Sequence, residues 1–346
     1  MSEERELLRD TVAALVDKHA TPEAVREAMA SERGYDEALW TMLCEQVGAA
    51  ALMVPEELGG AGGELADAAV VFEELGKALV PTPLWGTTLA ELALLSVDDP
   101  DGETLGALAE GTAIGAVVFD TDERLREEQT NTDERLREEQ TNTDERLREE
   151  QTGRRYVVHG DVADVVIATD GETLTRWTEF TAAPSVSMDP TRRLAVVEAK
   201  ATATVGTDPG LADTAAILLA VEQIGAATRC LDLTVAYTKD RVQFGRPIGS
   251  FQALKHRMAD LHVAVQSARA VVAEAVADPS PTSAALARLA ASEAFSAVAA
   301  EAVQMHGGIA ITWESDIQLY FKRAHGSAQL LGPPRQQLRR LESEVF

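Results

Sequence analysis

Two stretches in the C-terminal half supply the candidates for chemistry. In "YTKDRVQFGRPIGSFQALKHRMADL" (237–261), Arg241, Gln243 and Phe244 fall together at a Gly and Pro turn between two predicted helices. Arginine offers phosphate a rigid fork of donors. In "AVQMHGGIAITWESD" (302–316), Gln304 precedes a Gly-Gly pair, and Gly308 lets a main chain come close to a ligand. Singly, each residue has a plainer reading, Arg241 as a helix cap and Phe244 as core. Three carboxylates nearby could take a proton: Glu222, two turns into the preceding helix, and Glu314 and Asp316 after the glycines. Most such groups are solvated or capping carboxylates, and that is the reading adopted for these.

The elements that must position these residues come in three zones. Residues 1–112 show helical apolar spacing, as in "ELLRDTVAALV", then a Gly-rich break at "VPEELGGAGGE", then "LADAAVVFEELGKAL", stopped by "VPTPLW". Residues 113–206 hold short Val, Ile and Thr-rich runs, such as "AIGAVVF" and "AVVEAKATATVG", which predict strands. Residues 207–346 return to long helices. Leu254, Met258, Leu261, Val265, Ala268 and Val272 form the apolar seam of a bundle helix, and an Ala-rich helix follows the "DPSPTS" turn. The expected fold class is α+β and multidomain: an N-terminal helical domain, a small β-sheet middle domain and a C-terminal four-helix bundle.

The middle zone is interrupted by an 11-residue unit written three times, residues 121–152. Each unit offers one apolar side chain, Leu125, Leu136 or Leu147, among six charges. That buries too little to offset the entropy of ordering the segment, so the repeat is expected to be a solvated insertion.

Composition narrows the function classes. The chain has 346 residues, 45% hydrophobic and 25% charged, enough for several packed units. Its net charge is −26, of which the repeat supplies −6 (12 acidic against 6 basic residues), so the folded body carries −20. No basic field is available to meet nucleic acid or an anionic membrane. Cys44 and Cys230 show no metal or redox spacing and read as small core residues. The start "MSEERELLRD" has no apolar leader, and no stretch reads as a membrane span of ~20 residues, so a cytoplasmic location is expected.

Together, the R-x-Q-F-G-x-P-I-x-x-F-Q run, the "MHGG" turn and "VPEELGGAGGELADAAVVFEELGKALVPTPL" resemble the acyl-CoA dehydrogenase family. The resemblance implies that family's three-domain fold, its tetramer of two dimers and its FAD. It implies that Arg241 pairs with the FAD pyrophosphate of a neighbouring subunit and that Gln243 hydrogen-bonds it. By the same resemblance Phe244, Ile248 and Leu254 pack on the cofactor, while Gln304 and the Gly308 backbone meet its adenosine end.

The family's reaction also needs a carboxylate to abstract the α proton of an acyl-CoA thioester while the β hydride leaves to the flavin. The two positions where relatives carry that base are occupied by Leu331 and Ala215. The "TEPxxGSD"-like loop that cradles the flavin is missing too, and the repeat stands in its place. The resemblance is therefore to the non-catalytic subunit of bacterial heterotetrameric acyl-CoA dehydrogenases. Such a chain pairs with a catalytic paralogue that binds the acyl-CoA, shares its FAD and passes electrons to an electron-transfer flavoprotein. The alternatives are an enzyme active alone with an unusual base such as Glu314, and a flavin-free scaffold.

Overall fold

The computed structural model describes residues 2–119 and 155–345; the repeat lies outside the described residues. Helix α1 (Glu3–His19) starts where the Ser2 hydroxyl accepts the Arg5 amide, and buries Val12 and Val16. After α2 (Pro22–Ala30) and α3 (Glu37–Met42), the Gly-rich turn delivers α4 (Leu65–Lys77), whose start is a capping box of Glu64 and Asp67. Arg5 clamps both carboxylates at 2.7 Å, so α1 is tied to the first turn of α4. Helix α5 (Leu84–Leu95) is buried on nearly every side, and α6 (Gly102–Ala109) leads into the sheet.

Among the described residues the middle domain forms a five-stranded sheet ordered β1-β3-β4-β5-β2. Its strands are β1 (Gly115–Phe119), β2 (Arg155–Val158), β3 (Val165–Thr169), β4 (Thr173–Ser185) and β5 (Leu194–Thr207). Among these described strands, β1 and β3 pair in parallel, with Gly115 opposite Val165. The other three pairs are antiparallel. The alternating Val, Ile and Thr runs that predict strands are these elements.

The C-terminal domain packs α7 (Leu211–Asp240), α8 (Gln252–Ala277), α9 (Pro281–His306) and α10 (Ile317–Gln329), with α11 (Pro334–Val345) laid along α9. The predicted seam of α8 is buried at Leu261, Val265, Ala268 and Val272 and continues to Ala275, while Leu254 and Met258 are half-buried. Helix α7 corrects one expectation from the sequence. Its apolar window, of mean hydropathy 1.3, is long enough to cross a membrane, and 78% of that window is buried inside the fold. Glu222, Gln223 and Arg229 break its apolar run, which hid it from a count of consecutive apolar residues.

The helical domain meets the bundle backbone to backbone. A Cβ on Gly76 of α4 would lie 2.3 Å from the Glu222 carbonyl oxygen, and one on Gly225 of α7 would lie 2.1 Å from that of Glu73. Only hydrogen fits at either position, so the two glycines set the depth at which the helices cross.

Candidate functional site

The motif residues form a small ribbon at the end of α7. Arg241 caps the helix, its amide donating to the Tyr237 carbonyl, and β6 (Val242–Gln243) then pairs with β7 (Arg246–Pro247). Phe244 and Gly245 make the turn with φ of +54° and +75°. Two successive left-handed residues are the backbone of a type I′ hairpin turn, a conformation that an aromatic residue adopts at a cost. The amide of Ile248 returns to the Arg241 carbonyl at 2.8 Å and closes the loop.

This turn points Phe244 into solvent, where it is 91% exposed, so the reading of Phe244 as core is wrong. Its ring meets Phe251 edge-on at 6.0 Å, and the Arg246 guanidinium lies 3.9 Å above the Phe251 ring. Arg246 went unnoticed in the sequence, although it lies inside the same motif; the signal was a second guanidinium five residues after Arg241. Arg241 and Gln243 are exposed, with the Gln243 amide donating only to the neighbouring Val242 carbonyl. Ile248 and Leu254 are half-buried beneath the ribbon.

The second motif comes to the same end of the bundle. Tyr237, one turn before Arg241, stacks on His306 with ring centroids 4.1 Å apart, and its hydroxyl donates to the His306 carbonyl. Burial lowers the His306 pKa despite its hydrogen bond to the Ala302 carbonyl. Just beyond, Gln304 and Gly308 are exposed, and no atom would meet a Cβ on Gly308 within 4 Å. The structure thus brings two guanidiniums, two carboxamides, an exposed aromatic ring and an open glycine backbone to one solvent-facing edge. Such a set can hold a phosphate and stack a ring, and nothing from the sheet of the same chain faces it among the described contacts.

The positions where the family's base is expected are filled by packing. Ala215 is fully buried and its carbonyl accepts the Trp85 indole N–H at 3.3 Å. Leu331 has φ of +56° and packs into the main core. Glu314 is exposed, and Asp316 pairs with Arg26 at 2.6 Å.

Glu222 is neither solvated nor a cap, which corrects the sequence reading. It is buried, and its oxygens accept from Arg192 at 2.6 Å and from Arg323. Arg323 also grips Asp189 at 2.7 Å and the Thr191 hydroxyl and carbonyl. Arg192 reaches the Ser327 hydroxyl at 2.8 Å. Asp189, Thr191 and Arg192 belong to the β4–β5 connection, so this cluster fastens the sheet to α7 and α10. Around it lies a closed cavity of about 20 Å³, bounded also by Trp85, Phe72 and His159. His159 is 2% exposed with neither ring nitrogen hydrogen-bonded, and burial, reinforced by Arg192, Arg323 and Arg193, pushes its pKa down to about 3. A cavity of that volume has room for about one water.

Both ends of the chain match models of one family. Residues 2–96 match the acyl-CoA dehydrogenase N-terminal domain and residues 212–344 the acyl-CoA dehydrogenase C-terminal domain. The chain belongs to the acyl-CoA dehydrogenase family. It is 68% identical, over the full length of both chains, to acyl-CoA dehydrogenase IpdE2 of Mycolicibacterium smegmatis. It is 63% identical to the IpdE2 of Mycobacterium tuberculosis, over 99% of this chain and 98% of that one. Among solved structures, the ChsE4-ChsE5 complex from Mycobacterium tuberculosis shares the fold with a TM-score of 0.82 at 24% identity, covering 100% of this chain and 98% of that chain. Butyryl-CoA dehydrogenase from Megasphaera elsdenii superposes at 0.79 with 21% identity, over 100% and 98% of the two chains. Family membership accounts for the three-domain order and for the R-x-Q-F-G motif. Neither Ala215 nor Leu331, the positions at which the resemblance leads one to expect a base, carries a titratable group.

Proposed function

We propose that this chain is the non-catalytic subunit of a heterotetrameric acyl-CoA dehydrogenase, the partner of a catalytic paralogue that binds the acyl-CoA thioester. In the assembly, Arg241, Gln243, Phe244, Ile248, Leu254, Gln304 and Gly308 complete the FAD site of that paralogue. A flavin held there would supply hydride-accepting chemistry for α,β-desaturation, with the base coming from the partner.

One observation carries the reading. Arg241, Gln243 and Phe244 are displayed outward at a hairpin, while Arg192, Glu222 and Arg323 tie the sheet of the same chain to its bundle. A phosphate-gripping edge that no part of the chain's own sheet faces among the described contacts calls for a second chain to hold the rest of the cofactor. A two-component precedent is the ChsE4-ChsE5 complex, a chain of which shares this fold. An electron-transfer flavoprotein is the proposed electron acceptor.

The test is flavin stoichiometry. The chain expressed alone should carry no FAD and turn over no acyl-CoA, and coexpression with the paralogue should give a complex with one FAD per two chains. One FAD bound per chain in the isolated protein would refute the proposal. A stable complex with flavin bound independently of Arg241 would make the chain a scaffold.

A further inference from the structure

The register of the β6–β7 hairpin decides which of its side chains work together. Gln243 pairs with Arg246 and Val242 with Pro247, and the Ile248 amide donates to the Arg241 carbonyl. Residues opposite each other share a face of a two-stranded ribbon, and so do residues two apart along one strand. Arg241, Gln243, Arg246 and Ile248 therefore occupy one face, and Val242 and Pro247 the other. The two arginines are diagonal neighbours on that face, close enough for long side chains to converge on one ligand.

Neither guanidinium is spent inside the protein. In a chain with 57 acidic residues against 31 basic, Arg5, Arg26, Arg176 and Arg257 all hold carboxylates. Arg241 and Arg246 are exposed, and among the described residues no carboxylate or carbonyl accepts from either side chain. Arg246 is nonetheless held in place, its guanidinium 3.9 Å from the centroid of the half-buried Phe251 ring. A stacked guanidinium uses its face and keeps its N–H edge free for acceptors. The ribbon itself is seated hard on the last turn of α7, where a Cβ on Gly249 would stand 2.9 Å from the Thr238 carbonyl oxygen. One bidentate guanidinium suffices for one phosphate, so two of them beside a carboxamide match the adjacent charges of a diphosphate.

We infer that Arg246, stacked on Phe251, is a second diphosphate-binding residue, with Arg241 gripping one phosphate of the partner-held FAD and Arg246 the other. The assignment rests on this edge completing the partner's FAD site and extends it: Arg246 becomes a binding residue, and Phe251 the residue that positions it.

The test titrates FAD into the flavin-free two-subunit complex and follows flavin fluorescence. Arg246→Met keeps an apolar stem on Phe251 and removes the charge, and it should weaken FAD about tenfold or more. Arg246→Lys should recover part of that loss, since an ammonium supplies charge without the fork. Phe251→Leu should weaken FAD by a smaller factor, and by less still in an Arg246→Met background, because a platform matters only while it carries its guanidinium. Thermal melts and oligomeric mass check that each variant folds and assembles; if Arg246→Met does not, Arg246→Gln takes its place. Full FAD affinity in the assembled Arg246→Met complex, with Arg241→Ala still weakening FAD, would overturn the assignment and leave the flavin reading standing. Affinity unmoved by either substitution would overturn both.

Discussion

Arg192, leaving the β4–β5 connection, places one guanidinium nitrogen 2.6 Å from both oxygens of Glu222 in the middle of α7. The contact joins two domains inside the protein, away from water.

A buried pair of this kind is worth little against an apolar replacement but is expensive to break by halves. Glu222→Gln should destabilise the chain by about 3–5 kcal/mol, because Arg192 and Arg323 lose their shared carboxylate together. Urea unfolding with a preserved slope measures it. A loss under about 1 kcal/mol would mean that water already reaches the cluster.

The glycine crossing makes a sharper demand. Gly225→Ala should cost about 1–3 kcal/mol, since its methyl would stand 2.1 Å from the Glu73 carbonyl oxygen, an atom that cannot rotate away. Gly308→Ala is the control, with open space around it and a stability change within about 0.5 kcal/mol.

Two substitutions on the hairpin should separate binding from folding. Arg241→Ala removes a charge-assisted contact to phosphate and should lower the FAD affinity of the two-subunit complex by about 2–4 kcal/mol, or roughly 30- to 1000-fold. Arg241→Lys should recover part of it. Phe244→Asn places a residue tolerant of positive φ at an exposed, left-handed position, so the chain should be no less stable while the complex loses flavin. A destabilised Phe244→Asn chain would show that Phe244 serves the fold.

His159 sets a pH dependence whose direction follows from its environment. Burial and the neighbouring arginines lower its pKa to about 3, so the folded chain keeps the ring neutral where the unfolded chain protonates it. Stability from this group is complete above the unfolded pKa near 6.5 and is lost as pH falls from there toward 3, by up to about 1.4 kcal/mol per pH unit. Guanidinium melts at pH 7 and pH 5, wild type against His159→Gln, should show the steeper acid loss in wild type. Parallel losses would mean that the ring is protonated in the fold. Glu91, also buried without a partner and raised well above the ordinary carboxylate range, acts in the opposite sense, destabilising as pH rises through the unfolded value.

How much of this was legible depends on how far apart the cooperating residues lie. The helix and strand zones and the α8 seam rest on local periodicity, which a single chain displays, and the R-x-Q-F-G run is contiguous. The Arg192–Glu222–Arg323 cluster is not: its members lie 30 and 101 residues apart and, taken singly, resemble surface charges on amphipathic segments. The sequence showed that Ala215 and Leu331 could not act as bases, but not that Trp85 fills the space beside Ala215, since that contact spans 130 residues.

The backbone contact at Gly76 and Gly225 bears on assembly. Side chains can be repacked when a partner arrives, whereas two main chains in contact have no slack to give. The angle between the helical domain and the bundle is therefore settled within the chain before any encounter, and so is the spacing between surfaces on the two. Recognition then becomes the docking of finished shapes: little ordering entropy is lost on association, and partner choice falls to surface complementarity rather than to refolding.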